Sequence, residues 1–212
     1  MGRSKENLVY DQMNVTNGAG LIDAACIVPG AEGQATLKSQ NIHGKPRGLI
    51  VSSAHLAGGS SPALSEFEYG LILASHAFHR WMVRCMSAAG IRGLSPMEIF
   101  VLHSVRHRDR PKTLSELCLV LDIEDTHIAN YAVKKLAGIG LVKTGLVGKE
   151  KKIEITDKGA EVIARYIDIR EQILVDAMTV FGLPQEEISD IAAHLRAFSG
   201  YYEQAARAAA TL

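Results

Sequence analysis

"THIANYAVKKLAGIGLVKTGLVGKEKKIEITDKG", residues 126–159, decides how this chain is read. Ile128, Ala129, Ala132, Val133 and Leu136 recur at helical spacing and predict a helix from about Asp125 to Gly138. Two alternating runs follow, Leu141 to Val147 and Lys151 to Thr156. The tip Gly148-Lys149-Glu150-Lys151 joins them as a short hairpin loop, with Gly148 at a turn position. Thr156-Asp157 then caps another helix. Residues 125–152 hold six lysines (Lys134, Lys135, Lys143, Lys149, Lys151 and Lys152) against the two acids Asp125 and Glu150. The whole chain balances 23 basic against 23 acidic side chains, so the remainder must be acidic. Such segregated positive charge steers a protein toward a polyanion.

The flanking sequence extends the pattern on both sides. Upstream, TLSELCLVLD (113–122) is a short helix with Thr113 and Glu116 at capping-box spacing. Before it, LSPMEIFVLHSVRHRDRP (94–111) opens on Ser95-Pro96, a cap followed by proline in the first turn, and closes on Pro111. Further back, SEFEYGLILASHAFHRWMVRCMSAAG (65–90) carries Phe67, Leu71, Ala74, Phe78, Trp81, Met82 and Cys85 as one apolar stripe, with Ser65 and Glu68 as a second capping box. Downstream, a long helix from Thr156-Asp157 to about Phe181 is followed by Gly182, Pro184 and a last helix to about Ala209. Four helices, a hairpin and two helices make a mainly α chain with a small β-hairpin.

Composition limits the alternatives. The 212 residues are 47% hydrophobic, enough for a real core. No apolar run reaches the roughly 20 residues that span a bilayer, so no membrane association is expected. Cys26, Cys85 and Cys118 are far apart and odd in number, and the first ten residues are polar. A reducing cytoplasm is the expected location. Residues 1–62 are glycine-rich and aperiodic, ending in AGGSSP, and are expected to form an irregular extension.

A helix, a tight turn, a second helix and a two-stranded hairpin constitute a winged helix-turn-helix. Its second helix enters the DNA major groove and its hairpin touches the backbone or minor groove. On a helical wheel Ile128, Ala129, Ala132, Val133 and Leu136 face inward, leaving Thr126, His127, Asn130, Tyr131 and Lys134 outward. Asparagine pairs well with adenine, and lysine with guanine or phosphate. Lys135, the wing lysines Lys149, Lys151 and Lys152, and the cluster Arg106, Arg108, Arg110 and Lys112 complete the expected double-stranded DNA contacts. A merely solvated helix face is the bland alternative, and the adjacent basic clusters weigh against it.

The run L-x-x-L-x-x-x-L-D-I-x-D-T, followed by VKKL, GLV and IEITDKG, from Leu114 to Gly159, resembles the MarR family of bacterial winged-helix regulators. The resemblance spans roughly residues 65–209. It implies a DNA-binding lobe at 95–156 within a domain at 63–212, with dimerisation helices at 65–90 and 157–209. It further implies a homodimeric transcription regulator, more often a repressor, on a pseudo-palindromic operator. Phe78, Trp81 and Phe100 would line a cleft for a small aromatic effector, although each also suits a dimer core. The tip here lacks the family's wing aspartate and arginine, so wing contacts should be mainly electrostatic.

Other chemistries find little support. No GxSxG, HExxH or phosphate-binding glycine loop is present, so no enzyme activity and no cofactor are expected. His76/His79 and His103/His107 have helical spacing for a metal but no matching third ligand, and no metal is assigned. Cys85 and Cys118 interrupt apolar stripes, where a thiol serves as a small hydrophobe, so redox sensing is a secondary reading. A winged helix that binds proteins is the other rival, and such a wing would expose apolar residues.

Overall fold

The computed structural model describes residues 48–52, 54–148 and 150–212; the reading of residues 1–47, with Cys26, lies outside them. A single helical turn, α1 (Ala54–Ala57), precedes the long α2 (Pro62–Ala88). That turn falls within the stretch read as irregular. Helix α2 begins earlier than expected, because Pro62 occupies the first turn, where its missing N–H loses nothing, and Ser61 takes the N-cap position. Ser65 is therefore a buried residue inside the helix, and the Ser65–Glu68 capping box does not form.

The next two caps form as read. α3 (Pro96–Arg106) starts with a reciprocal box between Ser95 and Glu98, and α4 (Leu114–Leu121) with one between Thr113 and Glu116. Asp122 closes α4 in the left-handed region at φ 54°. Asp125 then caps α5 (Thr126–Gly138), its carboxylate accepting from the His127 N–H at 2.8 Å. Between α3 and α4, His107–Asp109 form one 3₁₀ turn.

Strands β1 (Val142–Val147) and β2 (Glu150–Ile155) pair antiparallel, with Val142 opposite Ile155 and Val147 opposite Glu150. Strand β2 begins one residue before the expected Lys151, so only Gly148 and Lys149 connect the strands. Gly148 sits at φ +64°, the left-handed backbone that a two-residue hairpin asks for. Lys149 lies outside the described residues. Lys112 adds an isolated bridge to the hairpin's root, exchanging backbone hydrogen bonds of 3.0 and 2.8 Å with Ile153.

Helix α6 (Asp157–Ile169) continues through a π-helical segment, Arg170–Val175, into α7 (Asp176–Phe181); α8 (Gln185–Ala209) follows. The π segment interrupts what the sequence reads as one continuous helix to about Phe181. Its mark in the sequence is the spacing of Val162, Tyr166, Ile169, Leu174, Met178 and Phe181, where the step from Ile169 to Leu174 is five residues. A π turn absorbs one extra residue per turn and keeps these side chains on one face.

The core gathers Met82, Met86, Ile99, Leu102, Leu117, Leu136, Leu141, Ile153 and Val162 from α2 to α6. Burial ends abruptly outside that lobe. Apart from Ser65, α2 is buried only over Met82–Met86, and no residue of α7 or α8 is buried.

The junction from wing to α6 is close-packed. Thr156 Oγ1 donates to the Gly140 or Leu141 carbonyl, at 2.7 and 3.0 Å, and accepts from the Gly159 N–H at 3.0 Å. A Cβ on Gly159 would stand 2.1 Å from the Leu141 carbonyl oxygen and 2.7 Å from Ile155 Cδ1. Gly159→Ala is expected to destabilise the fold by about 3 kcal/mol, since overpacked sites must displace backbone; chemical denaturation measures it, and a loss under about 0.5 kcal/mol would contradict this packing.

Candidate nucleic-acid interface

The face of α5 opposite its buried residues consists of His127, Tyr131 and Lys134. Thr126 is exposed beside them and Asn130 is half-buried at the edge. Ala129, Ala132, Val133 and Leu136 are buried as the wheel requires. Ile128 is not. It is 48% exposed, although its apolar character placed it inward. On a 100° wheel Ile128 lies about 90° from the centre of the buried stripe, and that marginal position is the signal that could have flagged it.

The basic residues divide by what already holds them. Lys134, Arg108 and Lys151 are exposed and have no acidic partner among the described residues. Arg106 pairs with Asp109, Arg110 with Glu116 at 2.8 Å, and Lys152 with Glu150 at 2.8 Å. Lys135 turns back to the Glu98 carboxylate at 2.8 Å and the Gly93 carbonyl at 2.7 Å, which commits it to the α3–α5 junction rather than to an open surface. Each of these cations already has a partner within the chain.

Lys112 is the largest correction. It is 5% exposed, and its ammonium donates to the carbonyls of Val105, Arg110 and His107, those to Val105 and Arg110 at 3.1 and 3.2 Å. Burial pulls its pKa below the ordinary lysine value, with Arg110 adding to the effect, Glu116 opposing it and Arg108 adding again. Lys112 thus caps the C-terminus of α3 and closes the 106–110 loop, in which Arg108 and Asp109 both hold positive φ. It is a structural cation, buried where no phosphate can reach it.

The wing tip is mixed in character. Leu146 and Val147 are 76% and 57% exposed beside Lys151. The feature that would mark a protein-binding wing is therefore present together with the lysine that suits DNA.

The aromatic candidates lie across α2 and α3. Phe78 and Phe100 have ring centroids 6.1 Å apart, His79 meets Phe100 edge-on at 5.9 Å, and Trp81 and Phe100 pack against the core. His103 stacks edge-on against Tyr166 at 4.7 Å, and burial lowers its pKa. Cys85 is buried with its Sγ 3.6 Å from the Tyr166 carbonyl, and burial pushes its thiol up, opposite to what a reactive thiolate needs. No helix among the described residues is long and apolar enough to cross a membrane.

Residues 94–159 match a family model described as a winged helix DNA-binding domain. No curated protein matches the chain. Among solved structures, a mutant MarR from E. coli complexed with operator DNA is similar at TM-score 0.55 and 17% identity, covering 66% of this chain and 99% of that one. A MarR transcriptional regulator from Methanosarcina mazei Go1 is similar at TM-score 0.52 and 16% identity, covering 69% and 99%. CouR from Rhodococcus jostii RHA1 bound to p-coumaroyl-CoA is similar at TM-score 0.50 and 15% identity, covering 62% and 90%. The chain therefore contains a winged-helix DNA-binding domain and has the fold of MarR regulator structures.

Two outcomes test these assignments. Lys112→Met strands backbone carbonyls that an ammonium now satisfies and should lower stability by about 3 kcal/mol, read by denaturant titration; an unchanged midpoint would refute the capping role. Glu116 accepts from the Thr113 N–H and from Arg110, which hold its pKa down to about 2 against an ordinary 4.5. A depressed carboxylate stabilises fully above its unfolded pKa and loses that contribution as pH falls through its folded one. Stability should decline between pH 4.5 and about 2, and Glu116→Gln should flatten that decline.

Proposed function

We propose that this winged-helix chain is a MarR-type transcription regulator, a homodimer that binds a pseudo-palindromic operator and acts as a repressor. The observation that carries the reading is the recognition face of α5. His127, Tyr131 and Lys134 stand exposed in a row on the second helix of a helix-turn-helix, with the exposed cations Arg108 and Lys151, which have no acidic partner among the described residues, elsewhere on the same lobe. Thr126 and Asn130 flank the row with hydrogen-bonding side chains. These are groups that read base edges and neutralise phosphates.

Dimerisation is supported by apolar surface that one chain leaves uncovered. Leu71 and Phe78 on α2, Val180 and Phe181 on α7, and Ile191, Leu195 and Tyr201 on α8 are all exposed. Exposed apolar surface of that extent suits a second copy. The repressor role follows a transcriptional repressor, CouR bound to p-coumaroyl-CoA, whose structure is similar at TM-score 0.52. Release by a small aromatic effector is consistent with the Phe78–Phe100 neighbourhood on α2 and α3.

The exposed Leu146 and Val147 favour a second reading, a winged helix that binds a protein partner. Salt separates the two, because neutralising phosphates makes DNA affinity fall steeply with salt.

A genomic-fragment binding selection at two salt concentrations should recover a palindrome with half-sites about one helical turn apart. Weak, motif-free binding that vanishes at moderate salt would favour the partner-binding reading. With the motif in hand, Asn130→Ala should relax one position at about 1–3 kcal/mol, whereas Lys134→Ala or Lys151→Ala should weaken all sequences alike and reduce the salt slope by about 1. Base-specific loss on changing Lys151 would contradict an electrostatic wing.

A further inference from the structure

Ile128 stands where polar readers were expected. It occupies the first turn of α5, the end of a recognition helix whose residues reach base edges. Asp125 fixes that turn twice, its carboxylate accepting from the His127 N–H and its carbonyl from the Ile128 N–H at 3.1 Å. Ile128 is 48% exposed and Tyr131, one turn on, is 67% exposed. Beside them is a hollow of about 470 Å³ to which Met97 and Ala132 contribute further apolar surface. Glu98 also borders it, but that carboxylate is buried and held by the Ser95 N–H at 2.7 Å and the Lys135 ammonium at 2.8 Å. The hollow is therefore predominantly apolar, and its carboxylate is engaged with the fold.

Among base edges in the major groove, one presents a methyl group, the C5-methyl of thymine. It is recognised by apolar contact rather than by a hydrogen bond. We infer that Ile128, with Tyr131 beside it, reads a thymine methyl in each operator half-site. This inference rests on the DNA-binding reading above and deepens it by naming a specificity determinant. Lys134 and Asn130 supply the polar contacts, and Ile128 discriminates thymine from cytosine, which lacks the methyl. A β-branched side chain suits the role, because its single preferred rotamer in a helix presents a fixed surface.

The test uses the full chain and the operator recovered by the selection. Each thymine is replaced singly by deoxyuridine, which removes only the methyl, and affinity is measured for the wild type, Ile128→Val and Ile128→Ala. One thymine per half-site is expected at which loss of the methyl weakens wild-type binding by about fourfold, the worth of one buried methyl-sized group. At that position Ile128→Ala should bind the thymine and uracil operators equally, with Ile128→Val in between. Unchanged melting and unchanged binding to nonspecific DNA would show that the variants are folded. If the isoleucine and methyl losses add independently at every thymine, the inference is overturned while the DNA-binding reading stands. If no motif is recovered, both fall.

Discussion

Glu98 is a buried carboxylate on which the arrangement of this lobe depends. It closes the capping box at the start of α3 through the Ser95 N–H, and it accepts the Lys135 ammonium from α5. A buried charge left alone is costly, so removing either the backbone donor or the cation that holds Glu98 would be strongly destabilising. Because Lys135 also donates to the Gly93 carbonyl, the chain before α3 is drawn into the same knot. The roll of α5 is thereby fixed. Its buried residues must face α3 and α4, and His127, Tyr131 and Lys134 must face away.

Charge on this surface is smaller than a count of lysines suggests. Of the lysines between residues 125 and 152, Lys135, Lys143 and Lys152 have carboxylate partners at 2.8 Å. Lys134 and Lys151 have none among the described residues. Exposed pairs of this kind add little stability, but they do lower the local field, so long-range attraction to DNA should be moderate. On the regulator reading proposed above, discrimination comes from close contacts on α5 more than from bulk attraction.

The order of elements was legible in the sequence because each boundary carries its own chemistry. Ser95-Pro96, Thr113 with Glu116, Asp125 and Thr156 all cap where their spacing says they should. The misreadings differ in origin. Lys112 belongs to a run of cations that looks like one patch, and nothing local reveals that its side chain reaches back to the end of α3. Ile128 reads as buried by its polarity, although its angle lies at the margin of the stripe. The Ser65–Glu68 spacing points to a helix start there, whereas Pro62 in the first turn starts α2 earlier. At Lys112 a tertiary neighbour overrides the local rule; at Ile128 and Pro62 the deciding signal is itself local.

The π segment between α6 and α7 carries a further consequence. Upstream of it the apolar stripe packs into the DNA-binding lobe through Val162 and Tyr166; downstream it continues to Met178 and Phe181, which a single chain leaves exposed. The π turn absorbs the extra residue at this point and so keeps two surfaces with different obligations in phase. Deleting one residue there would shorten the step from Ile169 to Leu174 to four, the spacing of a regular α-helix, and leave both surfaces on one stripe. An insertion in the flanking α-helical turns, where no π turn absorbs it, would instead rotate everything beyond it by about 100°.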